Sequence, residues 1–386
     1  MHLKIFVVIV VFCSLIQLIH SISIQFSNPL QRLLYDEFSN TIILASVNHL
    51  YSLDAKNLSI ISDISISSDD EDNHCLNTNK TTSQLTTPNY YFPISSYLTA
   101  PSNSTFNQLL LFVNNSILVC STANRGGSCQ LRSLVDLKLL KSSSQRLVSS
   151  SPFYPSVGFL SEKNQILYLS NTYDIPCDRF YEIPTISGRS LNDKDFLSIL
   201  NLRSGQSALQ QSTYTLRLLN IRLVKEFFLY YLYGFEHGNI SYFLTIQQSD
   251  FHQNRKSKLQ TKIVRFCQTI KQSIIKSYME IPLTCGSNYH YLITAKYSKE
   301  RNILYGIFRN TTLANASNTS HAVCAYSIES IREAFFQTLK HCLVDGKGSR
   351  GLGFISPNTH CIPNKVGGKN LAFFLSQEEK FVLEFK

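Results

Sequence analysis

Apolar and polar residues alternate in short runs along most of this chain, and Asn, Gly and Ser break the runs. Alternation of that period marks half-buried strands. The clearest stretch runs from Tyr230 to Cys285. YYLYGFEHGNISYFLTIQ reads as a β-hairpin with its turn at His237-Gly238-Asn239. TKIVRFCQ alternates Ile263, Arg265 and Cys267 with Val264 and Phe266, and SYMEIPLTC ends on Pro282 and a second cysteine. Upstream, Thr41 to Ser46 and His49 to Leu53 read as strands joined at Val47-Asn48. Leu109 to Val113, a turn at Asn114-Asn115, Ile117 to Ser121 and Cys129 to Arg132 form a meander. Ile166 to Ser170, Tyr242 to Gln247, Tyr291 to Ala295, Ile303 to Phe308 and Ala322 to Tyr326 continue it.

One helix is expected, Ser327 to Lys340, with Ile328, Ile331, Ala334, Phe335 and Leu339 on one face. Ser330 and Glu333 have capping-box spacing. Ser59 to Ser104, with the acidic run Asp69 to Asp72, and Ser142 to Ser151 read as polar loops. Many short strands with little helix imply an all-β sandwich, barrel or propeller. No repeat is regular enough to count its units.

The first residues change the setting. Lys4, the apolar run Ile5 to Ile19 and a small residue at Ser21 or Ser23 have the pattern of a secretory signal peptide. That divides the chain into a leader, 1–22, and one domain, 23–386. No later segment is apolar for long enough to span a bilayer, so an extracellular product is expected. Eight N-x-S/T acceptors fit that route: Asn57, Asn79, Asn103, Asn114, Asn239, Asn310, Asn315 and Asn318.

Net charge is +10, from 36 basic and 26 acidic residues. Secretion and scattered placement argue against nucleic acid as the partner. Arg255, Lys256, Lys258, Lys262 and Arg265 are the densest basic group and read as a solvated loop running into a strand. Of ten cysteines, nine remain after Cys13 leaves with the leader. In an oxidising compartment they are expected to pair. His74-Cys75, His341-Cys342 and His360-Cys361 raise metal ligation as the competing reading, but close cysteine pairs typical of structural zinc are missing. There is no Trp, no nucleophile elbow, no phosphate loop and no HExxH. No cofactor and no catalytic residue is expected.

The phrases around Tyr230 to Cys285 resemble, in order and wording, the sema domain of plexins, cell-surface receptors for semaphorins. ASVNHLYSLDAKNLSIISD, LLLFVNNSILVCSTANRGGSCQLRSLVDL, IPTISGRSL, VCAYSIESIREAF and HCLVDGKG followed by Cys361 extend the resemblance over Ile42 to Cys361. It implies a sema-type β-propeller, seven-bladed in the family and incomplete here, since the chain stops at Lys386. It implies disulfides Cys120–Cys129, Cys285–Cys324 and Cys342–Cys361; the spacing of Cys120 and Cys129 across Gly126-Gly127 independently suits a bridge. Cys75, Cys177 and Cys267 are left without an assigned partner. The function it implies is non-enzymatic: binding of a semaphorin, with receptor self-association and guidance signalling, as a secreted piece or a receptor ectodomain. The competing readings are a semaphorin or growth-factor-receptor sema domain, and a secreted propeller glycosidase.

Overall fold

The computed structural model describes residues 22–66, 104–122, 127–143, 145–172, 183–192, 194–200, 213–217, 228–249, 259–268, 274–310, 320–351 and 361. Their strands form five successive antiparallel meanders. The first contains β1 (Leu30–Asp36), β2 (Thr41–Ser46), β3 (His49–Asp54) and β4 (Ile60–Ser65). The second contains β5 (Asn107–Val113), β6 (Ser116–Ser121), β7 (Ser128–Ser133) and β8 (Leu139–Ser142). The third contains β9 (Ser156–Ser161), β10 (Ile166–Asn171), β11 (Ile186–Ser190) and β12 (Thr215–Leu216). The fourth contains β13 (Leu229–His237), β14 (Ile240–Gln248), β15 (Leu259–Cys267) and β16 (Met279–Pro282). The fifth contains β17 (Tyr289–Ser298), β18 (Ile303–Asn310) and β19 (His321–Ser327).

Local chemistry sets the turns. Asn48 and Asn114 take left-handed backbone angles (φ 65 and 54) at the corners before β3 and β6, a conformation that Asn tolerates. Gly238 (φ 61) opens the two-residue corner between β13 and β14, and β14 then pairs with β15 without a slip from Ile240↔Cys267 to Gln248↔Leu259. The first strand of the first, second, fourth and fifth sheets carries a bulge or irregularity. Such bulges increase local twist.

The first strands β1, β5, β9, β13 and β17 lie next to one another in that order. The sheets therefore pack face to face like the blades of a propeller, with a core in each gap. Within β6, Ile117 and Val119 enter the core shared with the first sheet, while Leu118 and Cys120 enter the core shared with the third. Within β14, Phe243 faces the third sheet, and Tyr242 and Leu244 face the fifth. In place of Trp, aromatic stacks fill the later gaps, with Phe235 4.5 Å from Tyr297 and 4.9 Å from Tyr242 between ring centroids.

Two helices are described: α1 (Ile274–Ser277) and α2 (Ile328–Lys340). Helix α2 buries Ile328, Ile331, Phe335 and Leu339 against the fourth and fifth sheets; Ala334, expected on that face, is exposed. Its N-cap is Ser327, whose side chain accepts from Ser330 N (3.1 Å), not Ser330 itself. Strand β19 runs straight into the helix, so the last extended residue is the one placed to cap. Glu333 accepts instead from Gln337 Nε2, one turn on. Ile60–Ser65, read as loop, is the fourth strand of its sheet; pairing with β3 outweighs its serines.

Candidate functional site

The direction of each strand decides which turns share an end of the propeller. The starts of the first strands lie together. Gln31 Oε1 accepts from Asn107 N (2.7 Å), Gln108 Oε1 accepts from Ser156 N (3.1 Å), and the Tyr230 hydroxyl donates to Phe153 O (3.4 Å). Their far ends lie together as well. Glu162 N donates to Glu236 Oε1 (3.0 Å), Lys299 pairs with Glu162, and Ser62 Oγ donates to Asp136 O (3.1 Å). One end face thus collects the tight turns 37–40, 55–59, 114–115, 162–165, 238–239 and 299–302. The opposite end face collects the connections between sheets and the corner at 47–48.

Three disulfides form among the described residues. Cys120 and Cys129 are directly opposed across β6 and β7, fully buried, with Cα atoms 4.0 Å apart. Cys285, just beyond β16, is bonded to Cys324 in β19 and fastens the fourth blade to the fifth. Cys342, in the π-helical turn His341–Asp345 after α2, is bonded to Cys361. Cys267 ends β15, half-buried, and stands outside these three bonds. Its amide donates to Ser277 Oγ (3.1 Å). Cys75 and Cys177 lie outside the described residues, as does the acidic run Asp69 to Asp72. His341 Nδ1 meets Asp345 Oδ2 at 2.7 Å, and no group of three or more metal-ligating side chains assembles among the described residues.

Asn57, Asn114 and Asn239 lie in turns and Asn310 ends β18; Asn79, Asn103, Asn315 and Asn318 lie outside the described residues. Of the basic group, Arg255, Lys256 and Lys258 are also outside them. The other two members correct the reading of a solvated loop, because both are built into the fourth blade. The Arg265 guanidinium lies 4.7 Å from the Phe335 ring centroid, beneath α2. Lys262 Nζ reaches Glu280 Oε1 at 2.7 Å, with side-chain exposures of 13% and 2%.

The Glu280 carboxylate is the hub of a buried polar cluster that the sequence did not announce. Its Oε2 accepts from Gln247 Nε2 and from the Tyr278 hydroxyl, both at 2.9 Å. Burial, with Glu280 beside it, holds the Tyr278 phenol well above its ordinary range, so it stays a donor. Arg350 and Gly351 lie against the cluster: Glu280 N donates to Arg350 O (3.2 Å), and Gly351 rests on the carboxylate. The one signal in the sequence was an acid inside the short apolar strand MEIP. A second buried charge, Arg189, is held by neutral acceptors, Ser187 Oγ, Gln145 Oε1 and Leu197 O, at 3.0–3.1 Å. Burial, and then Arg217 nearby, push its guanidinium below the usual arginine range. Both clusters are buried, and their hydrogen bonds tie separate strands and connections together.

With this geometry in view, the comparisons with known proteins converge. The architecture is that of a sema-type β-propeller. It superposes on the extracellular region of plexin A4 with a TM-score of 0.65 and 21% identity, covering 88% of this chain and 38% of that one. Drosophila Semaphorin 2a shares the fold at a TM-score of 0.55 and 12% identity, over 80% of this chain and 49% of that one. The Sema domain family model matches residues 288–373. The chain is a homologue of plexins. It is 25% identical to Plexin-A4 of Danio rerio, covering 83% of this chain and 18% of that protein. It is 23% identical to Plexin-2 of Caenorhabditis elegans, over 88% of this chain and 17% of that protein. The chain thus spans under a fifth of the length of the curated relatives it matches.

Proposed function

We propose that this chain is the ligand-recognition domain of a plexin-like receptor, that it lies outside the cell, and that it binds a semaphorin. The observation that carries the reading is homology to plexins along most of the chain, joined to a propeller of successive antiparallel blades. A solved structure of Drosophila Plexin A in complex with Semaphorin 1b shares the fold (TM-score 0.50, 13% identity, 88% of this chain and 57% of that one). The leader pattern at Lys4 to Ser23 and the disulfides support an extracellular setting. Among the described residues no helix is long and apolar enough to cross a membrane. The work of the domain is binding, and signalling belongs to other parts of a receptor.

The test is secretion from an animal cell line, a folding check by circular dichroism, and binding to a panel of semaphorins. Saturable binding to at least one is expected. A cooperative, well-folded product that binds none would overturn the receptor reading.

A further inference from the structure

The acceptor triplets remain to be accounted for, and three of them share a geometry. Asn57 lies in the 55–59 turn, Asn114 in the 114–115 turn and Asn239 in the 238–239 turn. All three turns belong to the same end of the blades, because each follows a first or third strand of its meander. Asn57 and Asn114 are exposed and Asn239 partly so. Asn57 Oδ1 accepts from Ser59 N (2.9 Å), which turns its Nδ2 away from the chain. Among the described residues the side chains of Asn114 and Asn239 engage in no hydrogen bond, which leaves all three amide nitrogens open to substitution.

A second observation concerns what stands beside them. Phe38, at the tip of the 37–40 turn, is wholly exposed, and its turn is tied to that of Asn57 through Ala55 N donating to Asn40 O (2.9 Å). Val135, 61% exposed, projects from the 134–138 turn of the blade that carries Asn114. Apolar tips left bare at a blade end favour association with other apolar surface. A bulky hydrated sugar on the adjoining turn would keep them apart from other proteins.

We propose that Asn57, Asn114 and Asn239 carry N-linked oligosaccharides, which together screen the tight-turn end of the propeller. In the transfer, Nδ2 attacks the anomeric carbon of a lipid-pyrophosphate oligosaccharide. The new N–C bond replaces the C–O bond to pyrophosphate, which departs with its lipid, and one amide proton is lost to base. The inference rests on the extracellular part of the function proposed above.

The test uses the full chain secreted from animal cells. Enzymatic glycan release in heavy-oxygen water turns each occupied Asn into labelled Asp, which peptide mass spectrometry locates. Label is expected at all three positions. Ser59→Ala, Ser116→Ala and Asn239→Gln should each remove one glycan's mass from the intact protein while secretion continues. With Ser59→Ala, hydroxyl-radical labelling of Phe38 should rise several-fold, while Leu139 on the second blade stays constant. Glycans found only at other acceptors would overturn the proposal and leave secretion intact. Protein with no glycan at all would overturn both. Unchanged labelling of Phe38 would overturn the screening.

Discussion

Gly351 lies directly on the side chain of Glu280: a Cβ built on it would fall 1.8 Å from Glu280 Cγ. The two residues are far apart in sequence, yet the backbone bond from Glu280 N to Arg350 O holds them in register. Gly351 also has φ 79, which L side chains rarely adopt. Gly351→Ala should therefore cost roughly 2–4 kcal/mol, part from the left-handed backbone and part from overpacking. Urea titration of the secreted protein would measure it, and a loss below about 0.5 kcal/mol would contradict the contact.

The Lys262–Glu280 pair beneath that contact is nearly dry. Lys262→Met strands the carboxylate with only Tyr278 and Gln247 as donors, and should destabilise by roughly 3–5 kcal/mol. Adding Glu280→Gln removes the stranded charge, so the double variant should regain most of that loss. A double-mutant cycle in denaturant is the measurement, and simple additivity would show that the pair is not coupled.

The disulfides should differ in worth with the loops they close. Cys120–Cys129 spans 9 residues and Cys285–Cys324 spans 39. Loop-closure entropy gives about 2.6 kcal/mol for the first and about 3.9 kcal/mol for the second. Paired Cys→Ala variants should follow that order in denaturant midpoints, with the Cys285–Cys324 variant also loosening the fifth blade to limited proteolysis.

His237 is half-buried between the hairpin corner and Tyr297, whose hydroxyl lies 2.7 Å from Nδ1. Burial first, and Arg332 second, lower its pKa below the ordinary value of 6.5. The folded state thus resists the proton that the unfolded chain accepts. This group's stabilisation is full above about pH 6.5 and is lost as pH falls toward the lowered folded value. Replacing it by His237→Phe should flatten the melting-temperature profile below about pH 6.5. An unchanged slope would remove His237 as its source.

Elements whose alternation is unbroken were legible from the sequence. The hairpin around Gly238, the strands meeting at Asn48 and the helix after Ser327 all lie where the pattern put them. The strands that escaped notice have physical reasons for doing so. Strands β9 and β11 contain Gly158 and Gly188, which normally argue against a strand interior. A Cβ at Gly158 would meet Leu169 Cδ2 at 2.7 Å, and one at Gly188 would meet Tyr214 Cδ1 at 2.9 Å, so close packing demands glycine there. Lys262 and Arg265 looked like surface charge because their partners, Glu280 and Phe335, are remote in sequence. Blade number was hidden because the repeat resides in backbone topology, while the side chains filling each gap differ.

Ile117 and Leu118 are chain neighbours that serve different cores, and the same holds for Tyr242 and Phe243. The second, third and fourth blades each share both of their faces with a neighbouring sheet. A defect in one of these three sheets must be felt by the sheets on both sides, so tolerance to substitution there is set by a blade's neighbours as much as by its own residues. The molecule behaves as a row of shared walls, in which a weakened partition lowers two rooms at once.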